Sequence, residues 1–393
     1  MAGLLSVDEA LRAVLAHAEP LEAERVRLEA AAGRVLARPT LAVVDLPPFE
    51  SSAMDGFAVR AADTPGRLPV VARIAAGRPA ERPLAQGEAM GIATGGVVPE
   101  GADAVVPIER VEVLEDAVEF SEAAEPGGNV RPVGGDVSAG DVVAEAGTRI
   151  GAAQIGALAA AGVAEVECAR RPRVAVLTTG TELRRAGESL APGEIYESNG
   201  VMLQTLLGAV GAIVEALDPV ADDEVAHRAA IEEGLAHDVL VTSGGVSVGP
   251  HDLVRGIEAA LGVEEIFWGV SVKPGKPLAF GVRGHTLVFG LPGNPVSSLV
   301  SSVLFVLPAL RALQGDRDPA PRYARGVLAG AIRPDHRRDE LVRARFTPEG
   351  DLEPLSGRES HMIVRAAEAN ALVFVPAGTD ELPVGSAVRY LAL

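Results

Sequence analysis

The only two lysines of the chain lie three residues apart in the segment KPGKP. Lys273 and Lys276 stand in a backbone stiffened by Pro274 and Pro277, because a proline ring fixes φ. Two ammonium groups at this spacing could neutralise two anionic groups of one ligand. Solvated surface lysines are the alternative, but the other cationic side chains are all arginines or histidines. This isolation favours a binding site.

Three β-branched runs each end in a glycine loop: RVAVLTTG, HDVLVTSGG and HTLVFGLPGNP. Loops that follow parallel strands meet at the carboxyl edge of the sheet, where α/β proteins bind ligands. In the second loop, Thr242 to Asp252, Gly244 and Gly245 would let backbone N–H groups approach a phosphate. In the third, Asn294 is placed to cap a helix that begins at Pro295. A single loop of this kind is usually only a tight turn, but three at one edge indicate a site for phosphate or another oxyanion.

Carboxylates near these loops could bind magnesium, which prefers oxygen ligands beside phosphate. Glu182 follows the first loop and Asp252 closes the second. Asp222 and Asp223 begin a predicted helix, so capping is the favoured role for either of them. For Asp252, capping and ligand binding are about equally favoured and could coexist.

The stretch FESSAMDGFAV places Asp55 and Gly56 shortly after the rigid pair Pro47-Pro48. Asp-Gly is a common turn dipeptide, because Asp hydrogen-bonds nearby backbone and Gly tolerates positive φ. These residues alone therefore predict a loop and leave the role of the carboxylate open.

Several familiar sites are excluded. The spacing around Gly275 does not match a Walker loop, and no GxGxxG follows the first strand of the α/β pattern. The seven histidines show no HExxH pattern, which makes a zinc site improbable, and no GxSxG elbow is present. Cys168 is interpreted as a packed thiol and not as a nucleophile.

Composition limits the class of protein further. The 393 residues are 48% hydrophobic and carry a formal net charge of -19, which disfavours binding to nucleic acid or to anionic membranes. A single cysteine excludes an internal disulfide and fits a reducing compartment. No apolar run is long and uninterrupted enough to suggest a membrane span. The first residues predict an amphipathic helix, Ser6 to His17, and not a signal peptide. We therefore expect a cytoplasmic protein.

The pattern of apolar and polar residues changes along the chain. A helix-forming start, with a second helical or turn-like stretch VRLEAAAGRVLA, gives way to short alternating runs and then returns to helix formers around Gln154 to Ala161. Strands then alternate with helices, which predicts a parallel sheet covered on both faces, and short strands recur at the end. We expect a multidomain α/β and β fold with these parts: a discontinuous N-terminal domain (1–45 and 141–169), an inserted β-rich domain (46–140), an α/β domain (170–318) and a small C-terminal β domain (319–393).

Eight segments together resemble the MoeA-type molybdopterin molybdenumtransferases, relatives of the gephyrin E domain. They run in order over nearly the whole chain: SAMDGFAV, TGGVVPEGADAVV, NVRPVGGD, TTGTEL, GEIYESNGVML, SGGVSVGPHD, KPGKPLAFG and GLPGNPVSS. Other proteins with the molybdopterin-binding fold share the SGGVSVG-type loop but lack the SAMDG and KPGKP segments. The resemblance is therefore specific.

The resemblance implies an elongated subunit of four domains that works as a homodimer. The active site would lie between the β-rich domain of one subunit and the molybdopterin-binding α/β domain of the other. Adenylylated molybdopterin and molybdate would be the substrates, magnesium the cofactor and AMP a product, with molybdopterin adenylyltransferase as the upstream partner. The sulfur ligands of molybdenum would belong to the substrate, which accounts for the lack of a cysteine cluster.

The resemblance also assigns roles to residues. Asp55 matches the essential aspartate and would assist cleavage of the anhydride, while Lys273 and Lys276 would neutralise phosphate and molybdate oxygens. Asp252 and Glu182 would help to hold magnesium. The substrate-binding positions implied are Thr94, Arg131, Asp136, Gly180, Glu182, Asp222, Ser243, Gly244, Gly245, Ser247, Gly249, Pro292, Asn294, Arg343 and Ser360.

The chain departs from the family's usual residues at five positions in or near these motifs. Two acids are lost, since the family usually has Asp at Thr181 and Glu at Gly135. Phe57 replaces Tyr, Gly96 replaces Ala and Glu197 replaces Asp. The lost acids bear on how the metal is held and on which oxyanion is preferred.

Two other functions remain open at this point. A molybdopterin adenylyltransferase would share the α/β fold but would not require residues 1–140. A non-catalytic molybdopterin-binding scaffold would retain its ligand without turnover. The acids near the glycine loops argue against the scaffold.

Overall fold

A computed structural model describes residues 3–220, 223–245, 253–335 and 337–393. Its helices are α1 (Val7–Leu15), α2 (Ala152–Ala160), α3 (Asn199–Ala209), α4 (Glu224–Gly234), α5 (Leu253–Ala260), α6 (Pro295–Ser301), α7 (Leu307–Leu313) and α8 (Ile363–Ala366). A π-helical turn, Ser302–Val306, joins α6 to α7.

The strands of the first half are β1 (Ala23–Arg27), β2 (Thr40–Leu41), β3 (Ser51–Ser52), β4 (Gly56–Val59), β5 (Gly66–Ile74), β6 (Ala89–Ile92), β7 (Ala104–Pro107), β8 (Val111–Val113), β9 (Ala117–Phe120), β10 (Val130–Arg131), β11 (Val142–Ala144) and β12 (Glu165–Ala169). Those of the second half are β13 (Arg173–Thr178), β14 (Leu183–Arg184), β15 (Ile195–Tyr196), β16 (Ile213–Ala216), β17 (Val239–Ser243), β18 (Glu264–Trp268), β19 (Val272–Lys273), β20 (Ala279–Arg283), β21 (Thr286–Leu291), β22 (Ala324–Val327), β23 (Asp339–Phe346), β24 (Leu352–Pro354), β25 (Ala371–Val375) and β26 (Ala387–Ala392).

The α/β sheet has the strand order β16-β13-β17-β21-β20-β18. Strands β13, β16, β17 and β21 are parallel, as predicted, so the three glycine loops leave one edge. Two further strands, β20 and β18, extend this sheet on one side and run antiparallel, so four of its six strands form the predicted parallel part. A two-residue turn joins β20 to β21, and such a short connection can only reverse the chain direction.

The core of this sheet is apolar on both faces. Val174, Val239, Phe280 and Phe289 pack with the helices on one face, and Leu177 and Ile231 belong to a second cluster. The Pro295–Leu313 helix is long and apolar enough to cross a membrane by length and composition alone, although no such run was expected. However, 78% of its most apolar window is buried within the protein, so packing on the sheet accounts for this composition.

The β-rich sheet has the order β7-β4-β6-β5-β9-β8. Chain segments on either side of it pair with each other: β1 with β12, and β2 with β11. The stretch VRLEAAAGRVLA is mostly not helical, because its first residues end β1 and only Leu28–Ala30 form a 3-10 turn. The five residues of β1 show no alternation of apolar and polar residues and only Val26 is buried, which explains why the sequence did not predict this strand.

Helix α1 begins as the sequence predicts. Ser6 accepts a hydrogen bond from the backbone N–H of Glu9, and the Glu9 carboxylate accepts one from the backbone of Ser6, which completes the capping box. The buried face of this helix packs on the core of the α/β sheet, through Val7, Ala10 and Val14.

The C-terminal sheet has the order β19-β23-β25-β26-β22, with β24 on β23. Its first strand, β19, contains Lys273 and lies parallel to the Asp339–Phe346 strand. The KPGKP segment therefore lies where the C-terminal sheet joins the α/β sheet. This junction brings two distant parts of the chain together near the glycine loops.

Candidate active site

A cavity of about 740 Å³ opens at the carboxyl edge of β13, β17 and β21. Its volume lies in the range of small-molecule sites. Described residues of all three glycine loops line it, together with the start of α3 and a segment of the C-terminal part of the chain. The structure thus gathers seven residues named from the sequence: Gly180, Glu182, Ser243, Gly244, Gly245, Pro292 and Asn294.

Backbone geometry explains the glycines of the second loop. Gly244 has φ of 100° and Gly245 has φ of 67°, a region that residues with a Cβ rarely adopt. A Cβ at residue 244 would also lie 2.7 Å from the carbonyl oxygen of Thr179. The chain can therefore pass close to the first loop only as glycine, and this exposes backbone groups to the cavity.

Among the described residues, two carboxylates line the cavity, from Glu182 and Glu197. The Glu182 carboxylate lies over Gly180, since a Cβ there would be 2.6 Å from its Oε2. Glu197 accepts a hydrogen bond of 2.7 Å from the backbone N–H of Gly200, at the N-terminus of α3. Helix N-termini stabilise negative charge, so this acid is held in place by the helix.

Within the described ranges, no three acidic, histidine or cysteine side chains gather closely enough to hold a metal ion. Magnesium, however, usually takes one or two carboxylates and completes its shell with waters and ligand phosphates. Glu182 and Glu197 fit that mode. The described carboxylates fit a magnesium ion whose remaining ligands are phosphate oxygens and waters. They do not form a coordination shell from protein side chains alone.

A loop from the C-terminal part of the chain forms one wall. Asn294 donates a 2.9 Å hydrogen bond to the hydroxyl of Ser360, and the N–H of Val296 donates to the Ser360 carbonyl. Asn294 does occupy the N-cap position before Pro295, but its side chain makes no capping bond. The amide instead fixes the loop that carries His361 and Ile363 to the cavity.

Arg343 holds this same loop through hydrogen bonds to its backbone carbonyl groups. The buried guanidinium donates to the carbonyl of Met362 at 3.0 Å, to that of Glu359 at 3.4 Å and to that of Gly357. Burial lowers the pKa of Arg343, while the Glu359 charge acts in the opposite sense. Arg343 thus positions the loop in this structure, with its donors directed to the backbone.

The two lysines have different surroundings. The Lys273 ammonium lies 3.6 Å from the Glu340 carboxylate and 3.9 Å from that of Asp335. Lys276 is exposed and forms no ion pair within the described ranges. Between them, Gly275 packs against Ser301, to whose hydroxyl a Cβ would approach within 2.8 Å. Pro277 lines the cavity, and Lys276 precedes it in the chain without being a lining residue itself.

In the β-rich part of the chain, Asp55 lies beside Thr94. One carboxylate oxygen accepts hydrogen bonds from the Thr94 N–H at 2.6 Å and from the Thr94 hydroxyl at 3.0 Å. These bonds lower the pKa of Asp55, the backbone bond contributing most. The side chain is exposed and hence accessible.

Gly56 has a different reason for being glycine than the sequence suggested. It does not adopt positive φ but opens the buried strand β4. A Cβ at this position would lie 2.1 Å from the carbonyl oxygen of Val106 on the neighbouring strand. Close strand contact, and not turn geometry, therefore requires glycine beside Asp55.

Arg131 lies next to the turn that holds Asp55. It pairs with Ser51 in the short β3–β10 ladder, and its side chain is exposed. Asp136 lies on a following loop whose backbone N–H donates to the carbonyl of Leu46. Arg131, Asp55 and Thr94 are all exposed, and Arg131 is connected to the Asp55 segment through the pairing of β10 with β3.

Four predicted site residues, Asp222, Ser247, Gly249 and Asp252, lie outside the described residues. Asp223 caps α4, as favoured, by accepting a 2.8 Å hydrogen bond from the N–H of Ala226. Among the polar cavity residues that were not proposed from the sequence are Asn199, His227 and His361. His227 and His361 are far apart in the sequence, so no motif links them and only the tertiary fold brings them together. Asn199 lies in the motif GEIYESNGVML, but the motif alone assigned it no role.

The fold and cavity define a class of multidomain protein in which a mainly parallel α/β sheet carries glycine loops at its carboxyl edge. Comparisons with family models cover most of the chain. Residues 5–162 match the MoeA N-terminal region (domain I and II), residues 175–312 a probable molybdopterin binding domain, and residues 325–393 the MoeA C-terminal region (domain IV). The chain belongs to the MoeA family, which confirms the resemblance noted in its motifs.

Individual relatives agree with this assignment. The molybdopterin molybdenumtransferase of Haemophilus influenzae is 38% identical over 319 residues, 80% of this chain and 79% of that protein. Molybdopterin molybdenumtransferase 2 of Mycobacterium tuberculosis is 37% identical over 401 residues, 98% of each chain. The crystal structure of the molybdopterin biosynthesis MoeA protein from Pyrococcus horikoshii OT3 superposes with a TM-score of 0.87 at 27% identity, covering 100% of both chains.

Proposed function

We propose that this protein is a molybdopterin molybdenumtransferase of molybdenum cofactor biosynthesis. In this reaction molybdate is inserted into adenylylated molybdopterin and AMP is released. The observation that carries the proposal is the joint presence, in one chain of the MoeA family, of a glycine-loop cavity and an exposed Asp55–Thr94 pair. The relatives that match most of this chain are named for the same activity.

The cavity can perform the binding part of this task. Backbone groups exposed by Gly244 and Gly245 would receive the phosphates, and Lys276 would add positive charge at the edge. A doubly charged ligand needs such local cations because the whole chain carries a net charge of -19. The protein would thus orient the ligand and control charge, while the pterin supplies the sulfur ligands for molybdenum.

Magnesium would be held by Glu182 and Glu197 together with ligand phosphate, with Asp252 as a further proposed ligand. When bound, it would withdraw charge from the phosphate oxygens. The Glu197 carboxylate is anchored by Gly200, so its position does not depend on the ion. The acids absent at Thr181 and Gly135 would make this metal site poorer in carboxylates than is usual in the family.

We also propose that the site is completed by a second copy of the chain. No lining residue of the cavity comes from positions 46–140, as far as the described residues show, and Asp55 lies in that part of the chain. The Asp55 face of one protomer would meet the cavity of its partner, consistent with the proposed division into an inserted domain and an α/β domain. The reaction would take place in the cytoplasm, downstream of a molybdopterin adenylyltransferase.

The test is an assay of molybdate-dependent AMP release from adenylylated molybdopterin, with and without magnesium. Release that requires both molybdate and magnesium is the expected result. Formation of adenylylated molybdopterin from ATP and molybdopterin would instead indicate an adenylyltransferase. Retention of the ligand without AMP release under any condition would indicate a binding scaffold. Light scattering of the same sample would test the dimer.

A further inference from the structure

Asn199 lines the cavity, and its side chain has an acceptor without a partner among the described residues. This residue begins α3 and is only 9% exposed. Its Nδ2 donates to the hydroxyl oxygen of Ser243 at 2.9 Å and to the carbonyl oxygen of Gly293 at 2.8 Å. Its Oδ1 is buried and has no hydrogen-bond partner among the described residues.

The orientation of this amide is fixed by its neighbours. A backbone carbonyl can only accept a hydrogen bond, so the group facing Gly293 must be the NH₂ of the amide. The Ser243 hydroxyl, in turn, lies 3.4 Å from the carbonyl oxygen of Pro292, to which it donates. Rotating the amide by 180° would place two acceptors against each other at Gly293. Oδ1 is therefore held as an acceptor by the third glycine loop.

A buried amide oxygen without a partner carries a desolvation cost, which a donor from a ligand would remove. The chemistry of the acceptor restricts that ligand group. Ionised phosphate and molybdate oxygens are themselves acceptors and cannot serve. The ring N–H groups of a pterin and the ribose hydroxyls of a nucleotide are also donors, but the exocyclic amine is the fixed donor that both heterocycles carry, and probes that lack only this amine separate it from the others.

We propose that Oδ1 of Asn199 accepts a hydrogen bond from the exocyclic amine of a ligand heterocycle, so that Asn199 determines which ring enters the cavity. This inference rests on the proposed function, which supplies a ligand with two such amines, on the pterin and on the adenine. The glycine loop around Gly244 would then receive the phosphate portion, and the floor beside Gly293 the ring. The acceptor of Asn199 and the phosphate-binding loop around Gly244 would thus both belong to the same protomer.

Two pairs of probes test this inference by calorimetry on the full chain. One pair is AMP and purine riboside 5′-monophosphate, which lacks the amine. The other is pterin-6-carboxylate and lumazine-6-carboxylate, in which a carbonyl replaces the amine. Wild-type protein should bind the amine-bearing member of one pair more tightly by roughly 3- to 10-fold, the range of one neutral hydrogen bond. The pair that shows the difference identifies the ring.

The Asn199→Leu variant should lose this discrimination, with a ratio near one for both pairs. Asn370→Leu is the matched control, because Asn370 lies in the C-terminal part of the chain and accepts from the N–H of Phe346. It should keep the wild-type ratio. If Asn199→Leu does not fold, judged by its thermal melt, Asn199→Ala adds no bulk and replaces it.

Equal affinities within both pairs, no binding of any probe by wild type, or unchanged discrimination in the Asn199 variant would each overturn the inference. These measurements need no turnover, so they are separable from the AMP-release assay. Amine discrimination without AMP release would contradict the proposed function alone. AMP release without amine discrimination would contradict the role of Asn199 alone.

Discussion

Thr94 gives two hydrogen bonds to one oxygen of Asp55, from its backbone N–H at 2.6 Å and from its hydroxyl at 3.0 Å. The second carboxylate oxygen is left for another partner on the exposed surface. A carboxylate that is both oriented and half-satisfied differs from an ordinary turn aspartate, which hydrogen-bonds its own local backbone. Thr94 thus orients the Asp55 carboxylate and leaves one of its oxygens available to a ligand, which in the proposed dimer would be bound by the partner protomer.

Replacing Asp55 by Asn should abolish molybdate-dependent AMP release while the protein stays folded, because the exposed side chain contributes a charge and little packing. The measurements are the release assay and a thermal melt. Full activity of Asp55→Asn would contradict the role proposed for this residue.

Thr94→Val should shift the acid limb of the activity profile to higher pH. The two Thr94 bonds lower the pKa of Asp55, so this carboxylate stays ionised at lower pH than an ordinary aspartate. Removing the hydroxyl leaves the stronger backbone bond, and the pKa should therefore rise only part of the way. A pH profile of kcat/KM for the variant and wild type checks this, and an unchanged acid limb would count against Asp55 as the group that titrates.

The two lysines should respond differently to substitution. Lys276→Ala should leave the thermal melt unchanged but lower kcat/KM by about tenfold or more, the loss expected for one charge-assisted contact. Lys273→Ala should lower stability by about 1 kcal/mol, because it removes a cation from the buried carboxylate of Glu340. Paired melts and kinetics separate the two effects. An equal loss of stability in both variants would contradict the different environments of these side chains.

Arg343→Lys should loosen the loop 357–362 although the charge is kept. A lysine ammonium is a compact point charge and cannot reproduce the planar guanidinium that reaches the carbonyls of Gly357, Glu359 and Met362. We expect a loss of about 1–3 kcal/mol in stability and faster amide hydrogen exchange in this loop. Unchanged exchange there, with a loss of substrate affinity, would instead support direct substrate binding by Arg343.

Gly56→Ala should destabilise the β-rich sheet by about 1–3 kcal/mol or more, since its Cβ would lie 2.1 Å from the Val106 carbonyl oxygen. Gly156→Ala is the control: Gly156 lies inside α2, and a Cβ there meets nothing within 4 Å. That change should stabilise the helix by roughly 0.5–1 kcal/mol. Denaturant unfolding of both variants gives the comparison, and a neutral Gly56→Ala would refute the proposed strand contact.

Many features predicted from the sequence depend only on the pattern of neighbouring residues. The strands before the glycine loops are short, apolar and β-branched, and residues with those properties form buried parallel strands in almost any α/β setting. Four residues of the candidate site, Glu182, Gly244, Gly245 and Asn294, follow from this pattern, because loops after parallel strands must share an edge, whereas Gly180, Ser243 and Pro292 were named from the family resemblance. The capping box of α1 is equally local, since both of its hydrogen bonds lie within four residues.

Tertiary structure decided the rest, because those features depend on contacts between distant parts of the chain. Gly56 is glycine on account of Val106, Lys273 is paired on account of Glu340, and Asn199 is oriented by Gly293. No spacing in the sequence encodes these distances. The sequence by itself determined which segments could bind an oxyanion; packing determined which donors and acceptors those segments leave free for a ligand, since a polar group is available only when the fold has not already satisfied it.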